Sequence, residues 1–146
     1  MISGTHPCPW NCVTKQILKM GFPLVDILYN CAGEVTNESL MKKLHVNGTK
    51  RLINQAEGRV NRWVQLSSVG SYGACRSEEV TEESLEQPNG VYETSKTISD
   101  NLVKDSGIPY AILRPSNVFA EEMPNQSLNR MFSMIEKGMF FYIGRK

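Results

Sequence analysis

The run Leu24-Val25-Asp26-Ile27-Leu28-Tyr29-Asn30 is almost continuously apolar and ends on polar and small residues. A compact run of this kind predicts a buried parallel strand. Arg62-Trp63-Val64-Gln65-Leu66-Ser67 and Tyr110-Ala111-Ile112-Leu113-Arg114 predict two more strands, the last broken by Pro115. Helical spacing takes over between them. Leu40, Leu44, Leu52, Ile53 and Ala56 recur on one face of a helix that Asn37 or Ser39 can cap and that runs to about Ala56. A second helix is predicted from about Gly90 to Asp105, ended by Gly107 and Pro109, and a last one from Ser127 to Lys137, closed by Gly138. Phe140 to Ile143 predicts the start of a further strand. At the other end, Met1 to Cys12 lacks periodicity and reads as loop, and Thr14 to Met20 predicts a short helix stopped by Gly21.

Strands alternating with helices of this length mean βαβ units, so the expected class is α/β with a doubly wound parallel sheet of the Rossmann-like kind. Right-handed crossovers would place helices on both faces of that sheet. Residues 1–25 form a lead, and residues 26–146 form the domain. Ligands of such sheets bind beyond the carboxyl ends of the strands. Those ends carry Asn30-Cys31-Ala32-Gly33, Ser67-Ser68 and Arg114-Pro115-Ser116-Asn117, so the polar residues that invite attention fall where this architecture expects a site.

Composition narrows the classes without choosing among them. A chain of 146 residues with 40% hydrophobic and 21% charged residues suits one soluble globular domain. A net charge of +1 with interspersed signs gives no footprint for nucleic acid or an anionic membrane surface. No apolar stretch approaches the ~20 residues of a membrane span, and Met1 to Pro9 lacks the features of a secretory signal. Cys8, Cys12, Cys31 and Cys75 follow no disulfide-scaffold spacing, so a reducing cytoplasm is the expected compartment. His6, Cys8 and Cys12 lie close together, but no downstream ligand pair completes a zinc pattern, and no metal is expected.

Tyr92 and Lys96 are four apart on the second predicted helix, on one face. A phenol titrates near ~10 and is a poor base at neutral pH. An ammonium ~5 Å away at an effective dielectric near 20 favours the phenolate by roughly 3 kcal/mol, which would bring the pair into acid/base range. That spacing is weak evidence alone, since a surface tyrosine beside a solvated lysine has it too. Ser68, at the end of the preceding strand, could hold a substrate oxygen against the phenol, although turn serines are common. The small residues after Asn30 would let a flat ring or ribose approach the backbone.

Asn30-Cys31-Ala32-Gly33, Val46-Asn47-Gly48-Thr49, Leu66-Ser67-Ser68-Val69-Gly70-Ser71-Tyr72-Gly73, Tyr92-Glu93-Thr94-Ser95-Lys96 and Leu113-Arg114-Pro115-Ser116-Asn117-Val118-Phe119 occur in this order. The ordered set resembles the NAD-dependent epimerase/dehydratase family, the extended short-chain dehydrogenases, from about Asp26 onward. The resemblance implies that Tyr92 is the acid/base, that Lys96 is its partner and binds the nicotinamide ribose, and that Ser68 is the catalytic hydroxyl. It implies that Asn30, Ala32, Gly33, Ser67 and Pro115 border an NAD or NADP cofactor. Asn117 would contact the diphosphate of a nucleotide-sugar substrate, and Asn47 would be a structural or catalytic helix asparagine. The implied chemistry is hydride transfer between a sugar carbinol and NAD(P), as in epimerases, dehydratases and reductases. A steroid- or flavonoid-type oxidoreductase of the same superfamily is the alternative substrate class, against which Ser116-Asn117 argues.

Three departures qualify the expectation. The family opens on a strand, a Gly-x-x-Gly-x-x-Gly turn and a helix that receives the pyrophosphate. Here Gly4, Gly21 and Gly33 are far apart and no such motif precedes Asp26. Ala120 stands where many relatives have glycine, and most of the C-terminal substrate region is missing. The chain reads as the catalytic middle of a longer enzyme, inactive alone unless a second polypeptide supplies the nucleotide-binding half, and the expected protein partner is a second copy in a homodimer or a complementing chain. A non-catalytic fragment or interaction module is the competing reading.

Overall fold

A computed structural model describes residues 23–74, 79–118 and 127–139. The predicted leading loop and short helix, and the predicted strand at Phe140 to Ile143, lie outside the described residues. The chain divides into two compact units, Met1–Ser116 and Asn117–Lys146.

The first unit holds a three-stranded parallel sheet in the order β1-β2-β3, with β1 at Val25–Asn30, β2 at Val60–Leu66 and β3 at Tyr110–Leu113. Val25 aligns with Val60, Asn30 with Gln65, and Trp63 with Tyr110. Helix α1 (residues 38–56) connects β1 to β2, and α2 (Val91–Lys104) connects β2 to β3. In the second unit, α3 spans Ser127–Glu136. All the strands and helices expected within these residues form, with ends moved by a residue or two. Among the described residues no helix is long and apolar enough to cross a membrane.

The core gathers Leu28, Ala56, Val60, Trp63, Val103 and Ile108, flanked by Val25, Leu52 and Ile53. Both α1 and α2 contribute to this one cluster, so both cover the same face of the sheet. Within the first unit the two helices thus lie on one face of the sheet. The physical sign of this is on β1, where Leu28 and Asn30 are buried but Ile27 and Tyr29, on the other face, are 46% and 65% exposed. A strand expected to be buried on both sides is buried on one.

Helix α1 departs from simple periodicity. Asn37 caps it, its side-chain oxygen accepting from the Ser39 amide at 3.1 Å. An α-helical turn at Glu38–Met41 leads into a π-helical stretch at Lys42–Gly48, and α-helix resumes at Thr49–Ala56. The wider π winding rotates successive side chains relative to an α-helix. The buried stripe thus becomes Met41, His45, Thr49 and Ala56, while Leu40, expected inside, is 43% exposed.

Helix α2 is stranger still, because its buried face is polar. Ser95, Lys96, Thr97, Ser99 and Asp100 are buried with Val103, whereas Val91 and Ile98 face outward. Such a face is tolerable only if its groups are hydrogen-bonded. Thr97 donates to the Glu93 carbonyl, and Ser99 meets both Thr49 and Gln65. The remaining groups are tied at the strand ends.

Tight loops complete the unit. Gly73 has φ +67° and ψ −155°, a region essentially closed to residues with a Cβ, and a Cβ there would lie 2.1 Å from the Gln87 carbonyl oxygen. Gly73→Ala is expected to cost about 3 kcal/mol from backbone strain and the displaced Gln87 segment. Urea unfolding of both proteins checks this value.

Candidate active site

The carboxyl ends of the strands converge on one buried ammonium. Lys96 is 3% exposed, and its Nζ donates to the carbonyl of Leu66, the last residue of β2, at 2.5 Å and to that of Ala32 at 3.5 Å. Burial pulls its pKa below the ordinary lysine value, while the charge of Asp100 works against that shift. The lysine therefore joins α2 to the ends of both β1 and β2.

Tyr92 stands one helical turn earlier and is half-buried. Burial pushes its phenol above the ordinary value of 10.0, and Glu93 pushes the same way. The expected lowering of the phenol by Lys96 is not the controlling effect in this arrangement. The ammonium is directed at two backbone carbonyls, and desolvation decides the direction. A proton-bearing phenol results.

Ser68 takes extended backbone angles and caps the short 3₁₀ turn Val69–Tyr72, its Oγ accepting from the Gly70 amide at 3.1 Å. That leaves the hydroxyl proton free to donate elsewhere. The turn abuts the start of α2: a Cβ on Gly70 would lie 2.7 Å from Glu93 Cγ, and one on Gly90 would lie 2.5 Å from Glu93 Oε2. Pro115, half-buried, accepts from the Val69 amide at 3.2 Å and braces the same turn.

Asn30 and Ser67 are buried beneath the strand ends. Asn30 is 5% exposed, and its Nδ2 donates to Gln65 Oε1 at 3.0 Å and to Thr49 Oγ1 at 3.2 Å. Its Oδ1 accepts from the Ala32 amide at 3.3 Å, shaping the turn that Lys96 holds. Ser67 is likewise buried and donates to Asp100 Oδ2 at 2.6 Å. Both support the strand ends from below. Ala32 is half-buried, Gly33 is exposed, and a Cβ on Gly33 would meet nothing within 4 Å. The turn is open on that side.

Asn47 is exposed and faces solvent. The side chain this helix turns inward is His45, 2% exposed. Its Nε2 accepts from the Glu34 amide at 2.9 Å, which requires the neutral form protonated on Nδ1, and Nδ1 lies 2.7 Å from Ser95 Oγ. Ser95 in turn donates to the Tyr92 carbonyl at 2.9 Å. Asp100 also escaped a reading based on hydrophobic period. It is fully buried, accepts from Ser67 and Arg114, and burial raises its pKa. Arg114 also pairs with Glu86 and lies 4.8 Å from the Tyr72 ring centre. Asn117 is exposed and belongs to the second unit. His6, Cys8 and Cys12 lie outside the described residues. Among the described residues no three His, Cys, Asp or Glu side chains form a metal-binding group.

These residues sit within a recognisable class, the α/β proteins with a parallel sheet whose site lies at the carboxyl strand ends. The model of the NAD dependent epimerase/dehydratase family matches residues 19–139, and the chain belongs to that family. Among solved structures, it is similar to the Bordetella bronchiseptica enzyme WbmH in complex with NAD+, at 19% identity and TM-score 0.71, covering 88% of this chain and 44% of the other. It is similar to a DesIV double mutant, a dTDP-glucose 4,6-dehydratase from Streptomyces venezuelae, at 24% identity and TM-score 0.69, covering 88% and 42%. It is also similar to the UDP-glucuronic acid 4-epimerase from Bacillus cereus in complex with NAD, at 20% identity and TM-score 0.66, covering 85% and 42%. The chain spans less than half the length of these structures. No curated protein matched the sequence.

His45 makes stability depend on pH. Burial, reinforced by Lys96, lowers its pKa from 6.5 to about 4. As pH falls below 6.5 the unfolded chain binds a proton that the folded ring refuses, so stability falls from there toward pH 4. Between pH 7 and pH 5 a loss of about 2 kcal/mol is expected, and urea unfolding at the two pH values checks it against His45→Asn, which lacks this contribution.

Proposed function

We propose that this chain carries the catalytic half of an NAD(P)-dependent enzyme acting on nucleotide sugars, an epimerase, dehydratase or reductase. The observation that carries the reading is the buried Lys96, pinned to the carbonyls of Leu66 and Ala32 one turn after Tyr92. The residues fit a nicotinamide at that place, since the turn at Gly33 is open and the strand ends supply small residues beside a fixed ammonium. Lys96, Ala32 and Gly33 would hold its ribose side, with Pro115 behind the Ser68 turn and Asn30 and Ser67 supporting it from beneath. NAD(P), when bound, supplies the acceptor or donor of the hydride.

The chain's own residues would handle the proton. In the reductive direction Tyr92, kept protonated by burial, gives its proton to the carbonyl oxygen as hydride reaches the carbon. In the oxidative direction the phenol first gives its proton to solvent, and the phenolate then takes the proton of the carbinol. Ser68 donates its free hydroxyl proton to the same oxygen and fixes its position. Asn117 is the proposed contact for the substrate's diphosphate. A cytoplasmic setting is part of the proposal, supported by the free, exposed Cys31.

Among the described residues β1 pairs only with β2, so its other edge is where a nucleotide-binding half would add. That half would come from a longer form of the chain or a complementing polypeptide.

Calorimetry with NAD and NADP on the folded chain tests the reading. Binding is expected to be weak, and no heat at millimolar cofactor would remove independent catalysis and favour a non-catalytic module. Where turnover of a nucleotide sugar is measurable, Tyr92→Phe is expected to lower kcat by about 10³-fold with nearly unchanged cofactor affinity.

A further inference from the structure

The mechanism above leaves the buried, titratable His45 unused. His45 sits in the π-helical stretch of α1, and its ring meets Tyr92 edge-on, with centroids 5.5 Å apart and planes at 85°. Its two nitrogens face different elements. Nε2 accepts from the amide of Glu34, in the loop that leaves β1 through Ala32 and Gly33. Nδ1 meets Ser95 Oγ, and Ser95 passes the contact to the backbone carbonyl of Tyr92. The donors run one way, from Glu34 N–H to the ring, from the ring to Ser95, and from Ser95 to Tyr92. One histidine thus ties the loop beside the proposed cofactor place to the helix turn that carries the phenol.

We propose that His45 is a positioning residue for Tyr92. It fixes the turn on which the phenol stands and walls one side of the ring, and it couples that turn to the Ala32–Gly33 loop. The proposal rests on the role assigned to Tyr92 above. A second proton on the ring would point Nε2–H at the Glu34 N–H, so the tie exists only with a neutral ring. The charged or titratable groups facing the ring are Lys96 and Tyr92 from α2 and Glu34 from the loop. Lys96 opposes protonation, Glu34 favours it, and burial outweighs both.

The test has two arms, and neither needs cofactor or turnover. Nitrogen-15 histidine spectra of the wild-type chain, with the signals of His6 identified by their loss in His6→Gln, report the tautomer. A neutral ring with Nδ1 protonated and Nε2 bare is expected at pH 7 and still at pH 6. A ring protonated on Nε2 at either pH overturns the proposal. The second arm follows the Tyr92 phenol by carbon-13 titration, assigned with Tyr92→Phe. In His45→Ala, which unwalls the ring and frees its turn, the midpoint is expected to fall by about half a unit. An unchanged midpoint means that His45 is structural only and overturns the positioning role. Should His45→Ala fail to fold, His45→Asn carries the same comparison, with a smaller shift in the same direction. Cofactor binding can fail while both arms succeed, so the two readings are separable.

Discussion

A buried ammonium has to be held by something, and in this protein almost everything near the strand ends follows from how Lys96 is held. Desolvating a lysine is costly unless oxygen acceptors replace its water. The acceptors are carbonyls of Leu66 and Ala32, so the helix, the end of β2 and the turn after β1 must keep fixed distances. That turn is itself shaped by Asn30, whose amide reaches Thr49 and Gln65. Asp100, another turn along α2, takes Ser67 and Arg114. The helix is therefore bound to the sheet largely through polar groups, and the apolar cluster around Trp63 and Val103 packs at the far end of the same face.

Rigidity of this kind is what a site needs and what stability alone would not choose. Apolar side chains of similar volume often replace buried ion pairs without loss. Here the polar groups instead aim at places along the strand ends, which sets the positions of Tyr92, Ser68 and the open turn at Gly33. The π-helical stretch of α1 belongs to the same scheme, because its wider winding brings His45 inward against Tyr92.

Much of this was legible beforehand. Apolar runs located β1, β2 and β3, and capping residues such as Asn37 and stop residues such as Gly107 bounded the helices. The order of small motifs named the family and pointed to Tyr92, Lys96 and Ser68. What was not legible was burial of polar side chains. His45, Thr49, Ser95, Ser99 and Asp100 look like surface residues to any hydrophobic period, and each is inside only because a specific partner waits there. Leu40 misled for the related reason that the π winding changes which residues share a face. The one-sided burial of β1 was hidden too, since Ile27 and Tyr29 are as apolar as strand residues with covered neighbours.

The parallel pairing has a consequence in time. Each strand must find a partner far along the chain, Val25 reaching Val60 and Trp63 reaching Tyr110. Neither contact can form early by local collapse, because the loop entropy is lost before the pairing compensates for it. The helices form faster, but the groups that fasten α2 in place are the strand-end carbonyls, which exist as a set only after the sheet is registered. Sheet register is therefore expected to precede helix docking, and helix docking to precede the site.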